Sequence, residues 1–218
     1  MQRIKLVREA VPITEDPAVV LAGSLMVRTI AAQLRVLVEA IAEFDTQIAE
    51  LFQRHPDCFI FDSFPGAGPA LAPRLLAAFG ADRDRWESAA EIQSLSGIAP
   101  VTHQSGNSVF VTWRLACPKF VRQTFHEYAD HSTIWCDWAK AFYQGQRDSG
   151  KGHHAALRAL AYKWIRIMFR CWKTRTPYND QAYLNALELR SSPLLARAAL
   201  TRAAREERER EKKRGKVA

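Results

Sequence analysis

Between residues 27 and 51 the apolar positions Val27, Ile30, Leu34, Leu37, Ile41, Phe44, Ile48 and Leu51 recur at alternating intervals of three and four. That spacing lines them up on one narrow stripe of an α-helix, the a/d pattern along which two helices pack. It predicts an arm about 37 Å long at ~1.5 Å per residue. Two readings stand beside each other: an exposed or dimerising arm, and an amphipathic helix packed on its own domain. Residues 18–55 are assigned to this arm. Residues 1–17, short, polar and broken by Pro12 and Pro17, read as a flexible leader.

Beyond the arm the pattern changes. In "CFIFDSFPGAGPALAPRLLAAFG" a short apolar run meets a Pro-Gly-Ala-Gly turn and then an Ala/Leu helix, which resembles the second half of a helix-hairpin-helix. Gly66 and Gly68 permit positive φ, and amides at the start of the following helix can face a phosphate. Pro69 has no N–H to give, and Pro73 fits only in a first helical turn. A plain tight turn is therefore the alternative. Ser88 and Glu91 have capping-box spacing before a short helix that ends near Ser96-Gly97. The polar interruption "VTHQSGNS" follows, with Val109, Phe110 and Val111 as a brief extended segment. A long helix is predicted from Pro118 through Val121, Phe125, Tyr128, Trp135, Trp138 and Phe142, and a second from about His153, burying Leu157, Leu160, Trp164, Ile167 and Cys171. The fold is thus mainly α: a long N-terminal helical arm, then a compact helical domain over 56–190 with a helix-hairpin-helix-like turn and one irregular loop or short extended segment. The tail 191–218, rich in helix formers and charge, reads as frayed helix or disorder.

Charge sharpens this division. Residues 101–180 hold 12 Lys/Arg against 5 Asp/Glu and residues 181–218 hold 10 against 5, whereas the first hundred residues are slightly acidic. A one-sided excess of this kind attracts polyanions, nucleic acid first. Lys163, Arg166, Arg170 and Lys173 repeat at helical spacing, either as a solvated face or as a nucleic-acid contact, with Lys119 nearby. Cys58, Cys117, Cys136 and Cys171 form no C-x-x-C pair, which points to reduced thiols in a cytoplasmic protein. No apolar run of membrane-spanning length is expected, and no membrane partner.

The interruption carries the most chemistry. A serine hydroxyl becomes a useful nucleophile when a base takes its proton and cations stabilise the charge building on the attacked group. Near Ser105 stand His103, two residues before it, and Arg114, Lys119 and Arg122 after it. A polar surface turn is the plain alternative. His126, His131 and Cys136 are spaced by five, which does not align them on a helix face, so no zinc site is expected. His153-His154 reads as a polar helix start. Trp113, Trp164 and Trp172 are weighed as base-stacking residues against ordinary core.

Taken in order, "FPGAGPALAPRLLAAFG", "SLSGIAPVTHQSGNS", "CPKFVRQTFHEYA", "GKGHHAALRALAYKWIRIMFRCWKTRTPYN" and "YLNAL" resemble the C-terminal transposase domain of the insertion sequence 110 family over roughly residues 55–190. The heptad arm is similar to the coiled-coil segment of those enzymes. The resemblance implies a DNA transposase or recombinase with two catalytic parts. One is an N-terminal RuvC-like domain with an acidic metal-binding set. The other is a C-terminal domain whose serine becomes joined covalently to DNA, and some members use a structured guide RNA. The family serine sits in a Ser-Gly pair after a G-x-x-P segment, here Gly97-Ile98-Ala99-Pro100, and carries over onto Ser105. Arg114 and Arg122 then become candidate phosphate ligands and His103 a candidate proton acceptor.

Nothing before residue 17 supplies the RuvC-like domain, and Asp57 and Asp62 make no case as metal ligands. The expectation is a C-terminal portion with no cofactor of its own, a divalent metal belonging to the missing domain. Its partners would be DNA, a guide RNA, and another copy or a full-length transposase through residues 27–51. Against a catalytic half stand two other readings: a non-catalytic nucleic-acid-binding and dimerisation module that regulates full-length enzyme, and a folded relic.

Overall fold

A computed structural model describes residues 2–11 and 13–214; Met1 and Pro12 of the leader and the last four residues of the tail lie outside them. The chain divides into two units, 1–48 and 49–218. The first holds α1 (Gln2–Arg8) and most of α2 (Pro17–Arg54), so part of the expected leader is helical. Asp16 starts α2 by accepting the Ala18 N–H on its carboxylate at 2.8 Å. At 38 residues α2 runs to about 57 Å.

All eight stripe positions of α2 are exposed, from Ile48 at 45 % to Leu51 at 67 %. The helix also contains an 18-residue window of mean hydropathy 1.5, long and apolar enough by composition to cross a membrane. This corrects the expectation that no such run exists. The alternation of apolar residues with Ala, Gly and single charges had masked it, because averaging over a window tolerates the Arg28 that interrupts the run.

In the second unit α3 (Cys58–Asp62), α4 (Gly68–Phe79) and α5 (Ala89–Leu95) lead to a two-stranded sheet, β1 (Val101–Ser105) and β2 (Ser108–Thr112). Then come α6 (Lys119–Trp135), α7 (Asp137–Asp148), α8 (His153–Thr174), α9 (Asp180–Leu189) and α10 (Pro193–Arg214). Mainly helical architecture is what the periodicity called for. Helix α8 supplies the centre, burying Leu157, Leu160, Trp164, Ile165, Met168, Cys171 and Trp172. Trp164 lies 4.5 Å from the ring centre of Trp138 and 5.3 Å from that of Tyr128, with Phe64 and Tyr178 closing around it. Its indole N–H donates to Ser132 Oγ at 2.9 Å. Trp172 packs on Phe79 and donates to Gly80 O at 2.8 Å.

Three local expectations are revised. The helix predicted from Pro118 to Phe142 breaks at Cys136, whose φ of −129° and ψ of 116° are extended. The break turns Trp138 into the core, 1 % exposed, while Trp135 remains 61 % exposed; a continuous helix would have kept the two on neighbouring faces. The capping box at α5 is half made. Ser88 donates to Glu91 instead of capping an amide, and Glu91 reaches back to the Glu87 N–H at 3.1 Å. The tail is helix as far as Arg214. It docks on α7 by burying Leu194 and Ala198 and by pairing Arg197 with Asp148 and Arg205 with Asp137 at 3.2 and 3.1 Å. Small residues and arginines did this work, which a search for a continuous apolar face passes over.

Because Trp164 is fully buried at the meeting of α6, α7 and α8, Trp164→Ala removes a large side chain and the hydrogen bond that Ser132 Oγ accepts from it. Chemical denaturation should show a loss of about 3–5 kcal/mol. A loss below about 1 kcal/mol would mean that this cluster does not hold the domain together.

Candidate nucleic-acid interface

The chemistry-bearing interruption is a regular β-hairpin, the extended one of the two alternatives expected, an irregular loop or a short extended segment. Its strands are antiparallel, with Val101 opposite Thr112, His103 opposite Phe110 and Ser105 opposite Ser108. The two-residue turn is Gly106-Asn107, with Gly106 at φ +55°, which places glycine first in a hairpin turn of type II′ pattern. Alternation puts His103, Ser105, Ser108, Phe110 and Thr112 on one face and Gln104, Val109 and Val111 on the other. Both faces are open, with Val109, Phe110 and Val111 all 57–62 % exposed.

Ser105 ends β1 beside the tip and is exposed. His103 shares its face, as an extended segment requires, and its ring stacks on Phe110 at 5.0 Å. However, His103 Nε2 lies 3.1 Å from Thr112 Oγ1, so this edge points toward the hairpin's root and away from the serine. Arg114 and Arg122 are not brought to Ser105. Four residue steps separate Ser105 from the root at Val101, about 13 Å at ~3.3 Å per residue, and both arginines lie beyond that root. Closeness in sequence misled here because a hairpin sends the chain out and back.

At the root a different group assembles. Helices α6 and α8 each offer a pair four residues apart, Arg122 with His126 and His154 with Arg158, in opposite order along the chain. The rings of His126 and His154 are 5.5 Å apart, and those of His154 and His153 4.9 Å. His153 Nδ1 is 2.8 Å from the Tyr143 hydroxyl. The Arg158 guanidinium lies 5.7 Å from the ring centre of Trp113, itself 57 % exposed. Arg122 Nη1 donates to Arg114 O at 3.4 Å, and Arg114 Nε is buried without a partner. Among the described residues Arg114, Arg122 and Arg158 make no ion pair with a carboxylate. Burial and then the charge of Arg122 lower the pKa of Arg158. His126 is lowered by burial first, then by His154, Arg158 and His153, with Asp130 opposing. The mirrored R-x3-H and H-x3-R spacings were present in the sequence, but they signal a site only once α6 and α8 are known to pack.

The remaining candidates separate. Trp164 and Trp172 are core, whereas Trp113 is not. Arg166 and Arg170 are exposed, but Lys163 is half-buried over Phe142 at 4.8 Å, its pKa lowered by burial, then Arg166 and Arg190. Lys173 donates to the carbonyl of Arg83 at 2.6 Å, so the expected basic stripe is cut at both ends. Lys119 is exposed at the start of α6. Gly66 and Gly68 do take positive φ, 77° and 54°. Gly66 is covered by Trp135 and accepts from His131 Nδ1 at 2.8 Å, while the space around Gly68 is open. Pro73 is the sixth residue of α4, past the first turn, and leaves the Pro69 carbonyl without an intrahelical donor.

Among the described residues no three His, Cys, Asp or Glu side chains gather to hold a metal ion. Asp57 is engaged by Arg83 at 2.6 Å, so this chain's own residues do not fit the divalent metal that the resemblance implies. Burial raises Cys136 to about 12 and Cys171 to about 11, which leaves these thiols poor nucleophiles at neutral pH.

The domain is helical and basic, and it projects a polar-tipped hairpin beside arginines that make no ion pair with a carboxylate among the described residues. Residues 58–144 match the model of the transposase IS116/IS110/IS902 family. It is 33 % identical over 134 residues to the IS117 mini-circle transposase of Streptomyces coelicolor, an alignment covering 62 % of this chain and 32 % of the relative. It is 27 % identical to a 42 kDa protein of insertion element IS900 from Mycobacterium paratuberculosis, over 75 % of this chain and 41 % of that one. A 43.6 kDa protein of insertion element IS110 from Streptomyces coelicolor is also 27 % identical, over 81 % and 45 %. The chain thus spans a third to just under half of these relatives.

Burial in the fold, first, and the neighbouring cations lower the pKa of His126 below the usual 6.5. The unfolded chain therefore takes up a proton first as pH falls, and the stability contributed above about 6.5 is lost on passing down through the folded pKa. His126→Gln should flatten the stability profile between about pH 7 and 5. Parallel profiles for the two proteins would sink this assignment.

Proposed function

We propose that this chain contributes the serine nucleophile of DNA strand exchange in transposition of an insertion sequence, acting with a separate acidic, metal-binding RuvC-like domain. The observation that carries the reading is the position of Ser105 at the exposed tip of a hairpin that stands clear of the helical core. Ser105 Oγ bonds to a DNA phosphorus as the bond from that phosphorus to one sugar oxygen breaks. The serine proton passes to an acceptor and the departing oxygen is protonated. The phosphoseryl ester keeps the phosphodiester bond energy, so attack by a hydroxyl of the second strand releases the serine and rejoins DNA. His103 serves as acceptor after its ring turns from Thr112. Arg114 and Arg122 hold backbone about 13 Å away, roughly four phosphates along one strand of duplex at ~3.4 Å each. Lys119, Arg166 and Arg170 extend the basic surface, and the turn around Gly66 and Gly68 acts in the manner of a helix-hairpin-helix through the open side at Gly68.

A second reading has its own support. The exposed stripe of α2 is the seam of a coiled coil, so self-association or mixed assembly with a full-length transposase through residues 27–51 would make the chain a regulator. A structured guide RNA is a further proposed partner.

Mixing the chain with the RuvC-like domain of a related transposase, guide RNA and labelled element-end DNA should give a denaturant-resistant protein–DNA adduct that disappears in Ser105→Ala. Salt-sensitive binding without any adduct would overturn the catalytic reading in favour of the regulator. If about five phosphates are contacted, log K should fall against log salt with a slope near −4.5.

A further inference from the structure

The cluster at the hairpin's root is not needed to present Ser105, and it is costly to assemble. Two arginines and two imidazoles meet between α6 and α8, and the acid that acts on the group is Asp130, beside His126. The other nearby carboxylate, Glu127, is taken by Arg74. Helix α8 begins here with Gly152 as an N-cap that offers no side chain, so its first-turn amides add positive potential beneath His153 and His154. Such a concentration of unmatched positive charge disfavours a cation and suits an oxyanion. Beside it stands Trp113, held on one side at cation–π distance by Arg158 and otherwise open to solvent. An aromatic face next to a cationic cluster matches the two things one nucleotide offers: base and backbone. A base already stacked within a duplex has no free face to give, whereas an unpaired one has.

We infer that Arg122, His126, His154, Arg158 and Trp113 form a binding site for an unpaired nucleotide of single-stranded nucleic acid, the phosphodiester lying between α6 and α8 and the base stacking on Trp113. The site rests on the nucleic-acid reading of the domain but is independent of covalent chemistry at Ser105. Its role is to grip strand that has been opened, at a fixed distance from the hairpin tip.

The test uses the full chain and short fluorescein-labelled oligonucleotides of mixed sequence: single-stranded DNA, single-stranded RNA and blunt duplex DNA, with binding read by anisotropy. Trp113→Ala and Arg158→Gln should each weaken single-strand binding about tenfold, the size expected for one stacked base or one charge-assisted phosphate contact. Trp113→Phe should retain most of the affinity, and duplex binding should change little in all three. Arg158→Gln should also reduce the steepness of the salt dependence by about 0.7. Which single strand binds more tightly, DNA or RNA, identifies the source of the nucleotide. Unchanged single-strand affinity in folded Trp113→Ala, or a loss in Arg158→Gln no greater than in the exposed control Arg35→Gln, would overturn the proposal. Ser105→Ala should bind as the parent does. Loss of the adduct with binding intact therefore bears on the nucleophile alone, and loss of selective single-strand binding bears on this site alone.

Discussion

The domain depends on one constraint: α8 buries two indoles, and each buried N–H must find an acceptor. Trp164 finds the hydroxyl of Ser132 on α6, and Trp172 finds the carbonyl of Gly80, where α4 ends in a residue with φ of +77°. These two bonds fix where α6 and α4 lie against the central helix. Arg83 reinforces the second by lying over the Trp172 ring at 4.6 Å while donating to the buried Asp57. An apolar core alone would have allowed the helices to slide, since dispersion and burial are nearly indifferent to register. The indole hydrogen bonds are directional, and they choose one.

That register has a consequence at the surface. Once Trp164 sets α8 against α6, the pairs Arg122/His126 and His154/Arg158 must face one another, because residues four apart on packed helices run up the same edge. The core therefore positions the cationic cluster at no additional cost in sequence. The hairpin is treated differently. It contributes no buried side chain, and Val101 and Thr112 at its root are the most protected of its strand residues. Two strands without a covering layer are marginal in water. Such an element is suited to being completed by what it binds, and the exposed Val109, Phe110 and Val111 would gain a dry surface in a complex.

Helix class and the positive-φ glycine turn were legible in the sequence, since both are written in local spacing. Apolar residues at intervals of three and four need no tertiary information to be read as helix. What escaped was whatever depends on two distant segments meeting. The break at Cys136 exists because Trp138 is drawn toward Trp164 and Tyr183, a demand local propensity does not show. Lys173 looked like one more cation on a basic face until the 83–86 segment folded over it. Arg114 and Arg122 seemed to serve Ser105 because they follow it closely along the chain, and the hairpin carries the serine away from them. Docking of α10 was hidden for the opposite reason. Apart from Leu194, its contacts come from Ala198 and from arginines, residues that in a sequence signify only helix and solvent.

Like charges placed together raise the energy of the folded chain, and Arg158 shows it directly: its charge is disfavoured by burial and by Arg122 alike. Elsewhere the same domain pairs Arg74, Arg83, Arg197 and Arg205 with carboxylates on other elements, while Arg166 and Arg170 lie in solvent. What sets the root of the hairpin apart is that partly buried arginines stand together there, Arg122 disfavouring the charge of Arg158. A carboxylate at any position facing the cluster would relieve it. Leaving it unrelieved stores a preference for an anion from outside, and a phosphodiester arriving there gains both the Coulomb attraction and the removal of a standing repulsion. On the proposed reading, a strand held at the root would run its neighbouring phosphates along the hairpin toward Ser105 at the tip, though neither site requires the other to act.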